Sequence, residues 1–169
     1  MKTLGKIKEL PCEIIQRLAK NNELQKLLLV DTNDISTVED FNPLHWTELI
    51  KTDYMSIAPI VDDNITNNSR NSFLIIHIDD INTYGWKDNI EIGGSIFVGT
   101  NLAHIWLRGN KLRLLEMVDE VMKTLDGQKF TVAGKLSIYQ ATSVVFANKS
   151  FGYRIFFKIS EQENKGVEL

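Results

Sequence analysis

The stretch Asn89-Ile-Glu-Ile-Gly-Gly-Ser-Ile-Phe-Val98, running on through His104-Ile-Trp106 and Arg108-Gly-Asn110 into an amphipathic segment that stops at Asp126-Gly127, decides the fold. Ile90, Ile92, Gly94, Ile96 and Val98 alternate with Glu91, Gly93, Ser95 and Phe97, the period of a strand with one buried face. Gly93-Gly94 inside that strand predicts a bulge or a close backbone approach. The extended path is expected to continue through Leu102, His104 and Trp106. From 110 to 126 the period changes. Leu112, Leu115, Val118, Met122 and Leu125 recur at three and four, with Val121 alongside, which predicts a helix. Asn110 suits its N-cap and Gly127 a left-handed residue just past its end. Such a helix is about 25 Å long at 1.5 Å per residue, roughly the width of a small sheet.

Outward from this block the remaining elements follow. Ile14, Ile15, Leu18, Leu24, Leu27 and Leu28 form a helical stripe over 10–30, with Pro11 suited to the first turn and Asn21-Asn22 placed to divide it. Residues 73–79 are apolar on both faces, Phe73, Ile75 and His77 against Leu74, Ile76 and Ile78, as expected of a central strand. Strands are also predicted at 129–133, 136–141, 144–147 and 151–159. In the last, Phe151, Tyr153, Ile155, Phe157 and Ile159 share one face. Residues 31–72 are the least regular. Asn42-Pro43 is a plausible helix start leading to Lys51, the path 54–61 reads as extended, and Pro59 keeps it off a central strand. A segment this long inside a compact domain is usually functional, and an arm reaching a neighbouring subunit satisfies that expectation. Residues 161–169 form a short polar tail expected to fray. The whole reads as one α+β domain with a predominantly antiparallel sheet packed against an N-terminal helix and a central amphipathic helix.

The 169 residues are 43% hydrophobic and 24% charged, ordinary values for a globular chain that can bury a core without staples. The apolar runs Leu27-Leu28-Leu29-Val30 and Ile155-Phe156-Phe157 are far too short to span a bilayer, and with Lys2, Lys6 and Lys8 but no apolar run before Pro11 a secretory signal is not expected. The single cysteine, Cys12, excludes an internal disulfide and a cysteine-based zinc site and fits a reducing compartment. The net charge of −3 is unevenly distributed. Residues 1–30 and 101–169 each carry +3, and residues 31–100 carry −9. Complementary faces for self-association are one reading, and turn-rich loops that collect Asp are the plainer one.

Chemistry is mostly missing. His45, His77 and His104 lack metal-ligand spacing; His77 with Asp79 on one strand face is more simply a histidine satisfied by its neighbour. Asp62-Asp63, Asp79-Asp80, Asp88 and Glu91 suggest the carboxylates of a small metal-dependent nuclease. Glu91, however, is followed by Ile92-Gly93-Gly94 rather than by the basic group such a site wants. The segment 127–135 separates Gly127 from Gly134 by six residues, and Leu136 stands where a phosphate loop needs Ser or Thr. Ser137, Ser143 and Cys12 have no nucleophile signature. Arg108, Lys111, Arg113 and Lys123 make a modest basic face, more consistent with a solvated helix or a subunit contact than with nucleic-acid recognition. No enzyme, metal or cofactor is expected.

The order of elements, together with Ile96-Phe97-Val98, Trp106, Asn110-Lys-Leu-Arg113, Met117-Val-Asp119, Leu125-Asp-Gly127 and Gly134-Lys-Leu136, resembles the tail terminator (tail completion) proteins of tailed bacteriophages. Leu18-Ala-Lys-Asn-Asn-Glu-Leu24 followed by Leu27-Leu28 is similar to the opening of such neck proteins. The resemblance extends in layout over about residues 10–160 and is specific over about 90–136. It implies a ring-shaped homo-oligomer, commonly a hexamer, in the virion neck, capping the tail tube protein and meeting the head–tail connector or adaptor. It implies no membrane partner. A head–tail joining or adaptor protein is the alternative. On this reading Arg108, Lys111 and Arg113 are interface or tube-facing charges and Asp62 and Asp63 candidate partners for them. Trp106 is either a core anchor for the helix, the favoured role, or an interface aromatic.

Overall fold

A computed structural model describes residues 7–40, 42–58, 70–84, 89–131, 134–146 and 150–160. The described residues form four helices and a curled six-stranded mixed sheet, an α+β arrangement. The helices are α1 (Leu10–Leu18), α2 (Asn22–Leu29), α3 (Trp46–Lys51) and α4 (Arg113–Leu125). The strands are β1 (Met55–Ile57), β2 (Ser72–Tyr84), β3 (Asn89–Asn101), β4 (Trp106–Leu107), β5 (Lys111–Leu112), β6 (Lys129–Phe130), β7 (Gly134–Val145) and β8 (Ser150–Ser160). The large sheet has the order β1-β2-β3-β8-β7-β6, and β4-β5 is a separate hairpin. Its long pairs are antiparallel, and the short β1 lies parallel to β2 at its edge, opposite Leu74, Ile75 and Ile76.

The N-terminal stripe is divided where its two asparagines stand. Asn21 caps α2, its side chain accepting from the Leu24 N–H at 3.0 Å, and Pro11 lies in the first turn of α1. Ile14, Ile15 and Leu18 of α1 and Leu24, Leu27 and Leu28 of α2 are buried against one face of the sheet. That face is built by Leu74, Ile76, Ile92, Ile96, Val98, Leu136, Ile155, Phe157 and Ile159, so the alternation in β3 and β8 is the core pattern. The other face carries a small cluster of Phe73, Ile75, Phe97 and Phe146. Burial on both sides is what made β2 apolar throughout its first half.

The glycine pair behaves as its sequence predicts. β2 is bulged between Ile78 and Asp80, opposite Gly94 and Gly93. A Cβ on Gly94 would lie 2.3 Å from the Phe157 ring and 2.8 Å from the His77 carbonyl oxygen. One on Gly93 would lie 1.9 Å from a carboxylate oxygen of Asp80. β7 carries a second bulge, between Ile138 and Gln140, and its unbroken pairing with β8 from Gln140 to Val145 joins the strands expected at 136–141 and 144–147 into one.

Several boundaries differ from the sequence expectation. β3 ends at Asn101 and a 3₁₀ turn, Leu102–His104, replaces the extended path, with the Asn101 side chain accepting from the Ala103 N–H. Asn42 is not a helix cap. α3 begins at Trp46, and His45 is the cap residue. Asn110 is not a cap either: with φ +59° it sits beside Gly109, φ +81°, in the turn of the β4-β5 hairpin, and α4 begins three residues later. The buried face of α4 is Leu114, Met117, Val118, Val121 and Leu125. Leu115 and Met122, expected in the core, are exposed, because α4 packs on the sheet through the face of Leu114, Met117, Val121 and Leu125, and Leu112 belongs to the hairpin and not to the helix. The expected arm is no free arm in its described part. Gln25, fully buried on α2, donates to the Leu44 carbonyl at 3.1 Å and accepts from the Leu44 N–H at 2.9 Å. Met55 is fully buried, and β1 joins the sheet. Pro59, the segment 59–69 and the tail 161–169 lie outside the described residues.

Candidate functional site: a hairpin held on the helical layer

The residues singled out between Trp106 and Arg113 converge on the β4-β5 hairpin. Trp106 pairs with Leu112 and Leu107 with Lys111, so Arg108, Gly109 and Asn110 form the tip. Two consecutive positive-φ residues reverse the chain there, a geometry that glycine and asparagine adopt at least cost. A Cβ on Gly109 would meet nothing within 4 Å, so this residue of the tip faces open space.

Arg113 fixes the base. Its side chain is 1% exposed, and it donates to the carbonyls of Leu27 (2.8 Å), Val30 (2.8 Å), Thr32 (2.6 Å) and His104 (3.0 Å). Three of these acceptors lie at or just beyond the C-terminal end of α2, where helical carbonyls lack partners. A planar guanidinium with five donors can satisfy them together, which a lysine cannot. Burial lowers the Arg113 pKa from its ordinary value, and the Asp31 carboxylate partly opposes this. The interface role expected for Arg113 therefore gives way to a structural one. It clamps α2, the 3₁₀ turn and the start of α4.

Arg108 and Lys111 are exposed, as a surface role requires, and both are engaged within the chain. The Arg108 N–H donates to the Asn33 carbonyl at 2.7 Å, and its guanidinium pairs with Asp34. The Ser36 hydroxyl, first, and Arg108, second, hold the Asp34 carboxyl below its usual range. Lys111 pairs with Glu116 at 3.3 Å. Beneath the hairpin these groups wall a cleft of about 300 Å³ together with Glu23, Leu27, Ile35 and Glu120. Its lining combines the carboxylates of Glu23, Asp34, Glu116 and Glu120 with the cations of Arg108 and Lys111 and the apolar Leu27, Ile35 and Leu107. Asp34, Glu116 and Glu120 escaped the sequence reading because their proximity to Arg108 and Lys111 is created by the packing of 31–37 and α4 on the hairpin.

Trp106 is 59% exposed, so the core role favoured for it is overturned. A two-residue strand beside the helical layer buries Leu107 on its inner side and leaves Trp106 on the outer. Lys123, the last of the basic face, pairs with Asp119 and Glu120 on its own helix, and these bonds raise its pKa. Asp62 and Asp63 lie outside the described residues. The acidic middle finds much of its complement within one chain: Asp40 pairs with Lys26, Asp34 with Arg108, Asp79 with Arg154 and Glu91 with Lys158.

Of the carboxylates considered for metal chemistry, Asp88 lies with Asp62 and Asp63 outside the described residues, and Asp79, Asp80 and Glu91 are each engaged by a neighbouring side chain. Asp79 accepts from Arg154 at 2.6 Å and lies 2.9 Å from His77, while Asp80 accepts from Asn82 at 2.7 Å. Among the described residues, no three His, Cys, Asp or Glu side chains come together as a metal site. Among them, too, no helix is long and apolar enough to cross a membrane.

Comparison with curated proteins finds no match to the chain. A family model, YomW, matches residues 21–159, a span that begins at the cap of α2, ends in β8 and contains the hairpin, its clamp and the sheet. The chain belongs to the YomW family, a phage-associated family.

Proposed function

We propose that the chain is a non-enzymatic virion assembly protein, a tail terminator that forms a ring in the neck, caps the tail tube and joins it to the head connector. The carrying observation is the hairpin. An exposed tryptophan is presented on a short, tightly rooted element, flanked by charged groups and a small cleft. Exposed aromatics on rigid supports are the typical anchors of protein interfaces, because they bury much area at little entropic cost. The phage-associated family and the resemblance of Trp106, Asn110-Lys-Leu-Arg113 and Leu125-Asp-Gly127 to tail terminators give that anchor its context.

The test is light scattering and negative-stain imaging of the purified chain, with co-sedimentation against tail tube protein and connector protein. Rings that bind tube and lose binding in Trp106→Ala support the reading. Binding to connector alone would reassign the chain to a head–tail adaptor. A strict monomer that binds neither would overturn both.

A further inference from the structure

We propose that β7 is a pairing edge for a second copy of this chain, the two β7 strands joining antiparallel across a two-fold axis. The inference is independent of the ring reading, since it rests on the sheet alone.

β7 pairs with β8 along its length, while on its other side β6 reaches only Gly134 and Lys135. The turn after α4 closes the next few positions, with the Leu136 N–H bonded to the Gln128 carbonyl and the Ile138 N–H to the Asp126 carboxylate, both at 2.9 Å. From 139 to 145 that side has no strand partner among the described residues. Natural sheets blunt such edges with charges, prolines or bulges. Here Leu-Ser-Ile-Tyr-Gln-Ala-Thr-Ser-Val-Val, residues 136–145, contains neither charge nor proline, and its one bulge, at Tyr139, lies at the start of the open part and leaves 141–145 regular. Among the described residues the terminal strands β1 and β6 leave open edges of only three and two residues, and the longer open stretch of β2 beyond Ile76 is protected. It is bulged at Asp79 and carries the Asp79 and Asp80 carboxylates.

The open edge is also self-complementary. The Phe146 N–H donates to the Ser150 carbonyl at 3.0 Å, on the β8 side. Strand alternation then directs the N–H and C=O of Ala141, Ser143 and Val145 away from β8. Two copies placed with Ser143 opposite Ser143 set each Ala141 opposite a Val145, so all three residues exchange outward bonds with no like charges opposed. Beside this edge, on the helical side of the sheet, lies an apolar groove of about 420 Å³ lined by Leu102, Leu115, Val145, Phe151 and Tyr153. Val145 is 76% exposed at its rim, so a second strand on this edge covers apolar surface as well as backbone. A contact of this kind closes on itself, so it joins two subunits, or two rings, and does not propagate one.

The test is light scattering of the full chain at high concentration, comparing wild type with Ser143→Lys, which sets two like charges on the two-fold axis, and with Val145→Lys as a second edge variant. Ile81→Lys on the protected edge is the control, and circular dichroism monitors folding. The expected result is an even-numbered wild-type assembly whose mass falls two-fold in the folded edge variants and is unchanged in the control. A monomeric wild type, or a folded Ser143→Lys of unchanged mass, overturns the proposal. Loss of assembly only in Trp106→Ala overturns it too, while leaving the hairpin reading standing.

Discussion

The guanidinium of Arg113, at the first residue of α4, donates to the carbonyl of Leu27, near the last residue of α2, across 2.8 Å. This one contact ties the layer that packs on the sheet to the hairpin that projects from it. Replacing Arg113 with methionine would keep much of the volume and leave the buried carbonyl of Leu27 and the half-buried carbonyl of Val30 without this donor. An unsatisfied buried group costs about 1–3 kcal/mol, and a second adds to it, so a loss of about 3 kcal/mol is expected in urea unfolding. Arg113→Lys should recover less than half, because an ammonium cannot fork to four carbonyls.

Adjacent leucines separate the observed face of α4 from the one read in the sequence. Leu114 is buried and Leu115 is 46% exposed. Leu114→Ala should cost about 2–4 kcal/mol in the isolated chain. Leu115→Ala should stay within about 0.5 kcal/mol, as surface changes do. Thermal or chemical unfolding of the two variants decides it, and equal losses would mean a different helix rotation.

Gly94 has no room for a side chain between the Phe157 ring and the His77 carbonyl. Gly94→Ala should destabilise by about 1–3 kcal/mol through overpacking, with the Phe157 ring displaced. Chemical denaturation, with the Phe157 ring resonances followed by NMR, checks both effects.

The hairpin tip should respond to acid. The Asp34 pKa is lowered in the fold, so its bonds to Ser36 and Arg108 stabilise the protein above the ordinary carboxylate pKa and are lost as pH falls through the lowered value. Hydrogen exchange at the Arg108 amide, bonded to Asn33, should accelerate over that acidic range. Asp34→Asn should show weakened protection already at neutral pH. Arg108 is exposed and Asp34 only half-buried, so solvent screens the pair and the melting temperature should change little.

Trp106→Ala should leave monomer stability nearly unchanged, since most of the ring is already in water. Its effect should be confined to association, by at least ten-fold if Trp106 is an interface anchor. Unfolding and co-sedimentation of the same variant separate the two.

Much of the fold is legible in local pattern. The alternation in 90–98 and 151–159 gave β3 and β8, Asn21 marked the break between α1 and α2, and Gly93-Gly94 marked the close approach beside a bulge. Asn110 shows the limit of that reading. Asparagine serves equally in a helix cap and in a left-handed turn, and only pairing of Trp106 with Leu112 selects the turn. The site was legible as a location, 106–113, and not as a set of roles. Trp106 was expected inside and lies outside; Arg113 was expected outside and lies inside.

By itself the sequence determined the α+β class, the strands β2, β3 and β8, the two N-terminal helices and the existence of α4, because hydrophobic period and turn chemistry act over a few residues. Only the tertiary structure decided which face of α4 is buried, where Arg113 spends its charge, which carboxylates neutralise which cations, and that β7 keeps an uncharged edge open. Those outcomes depend on segments distant in the chain meeting in space: 27–34 with 104–113, and 79 with 154. No local pattern records which remote partner a buried donor or an exposed strand will find.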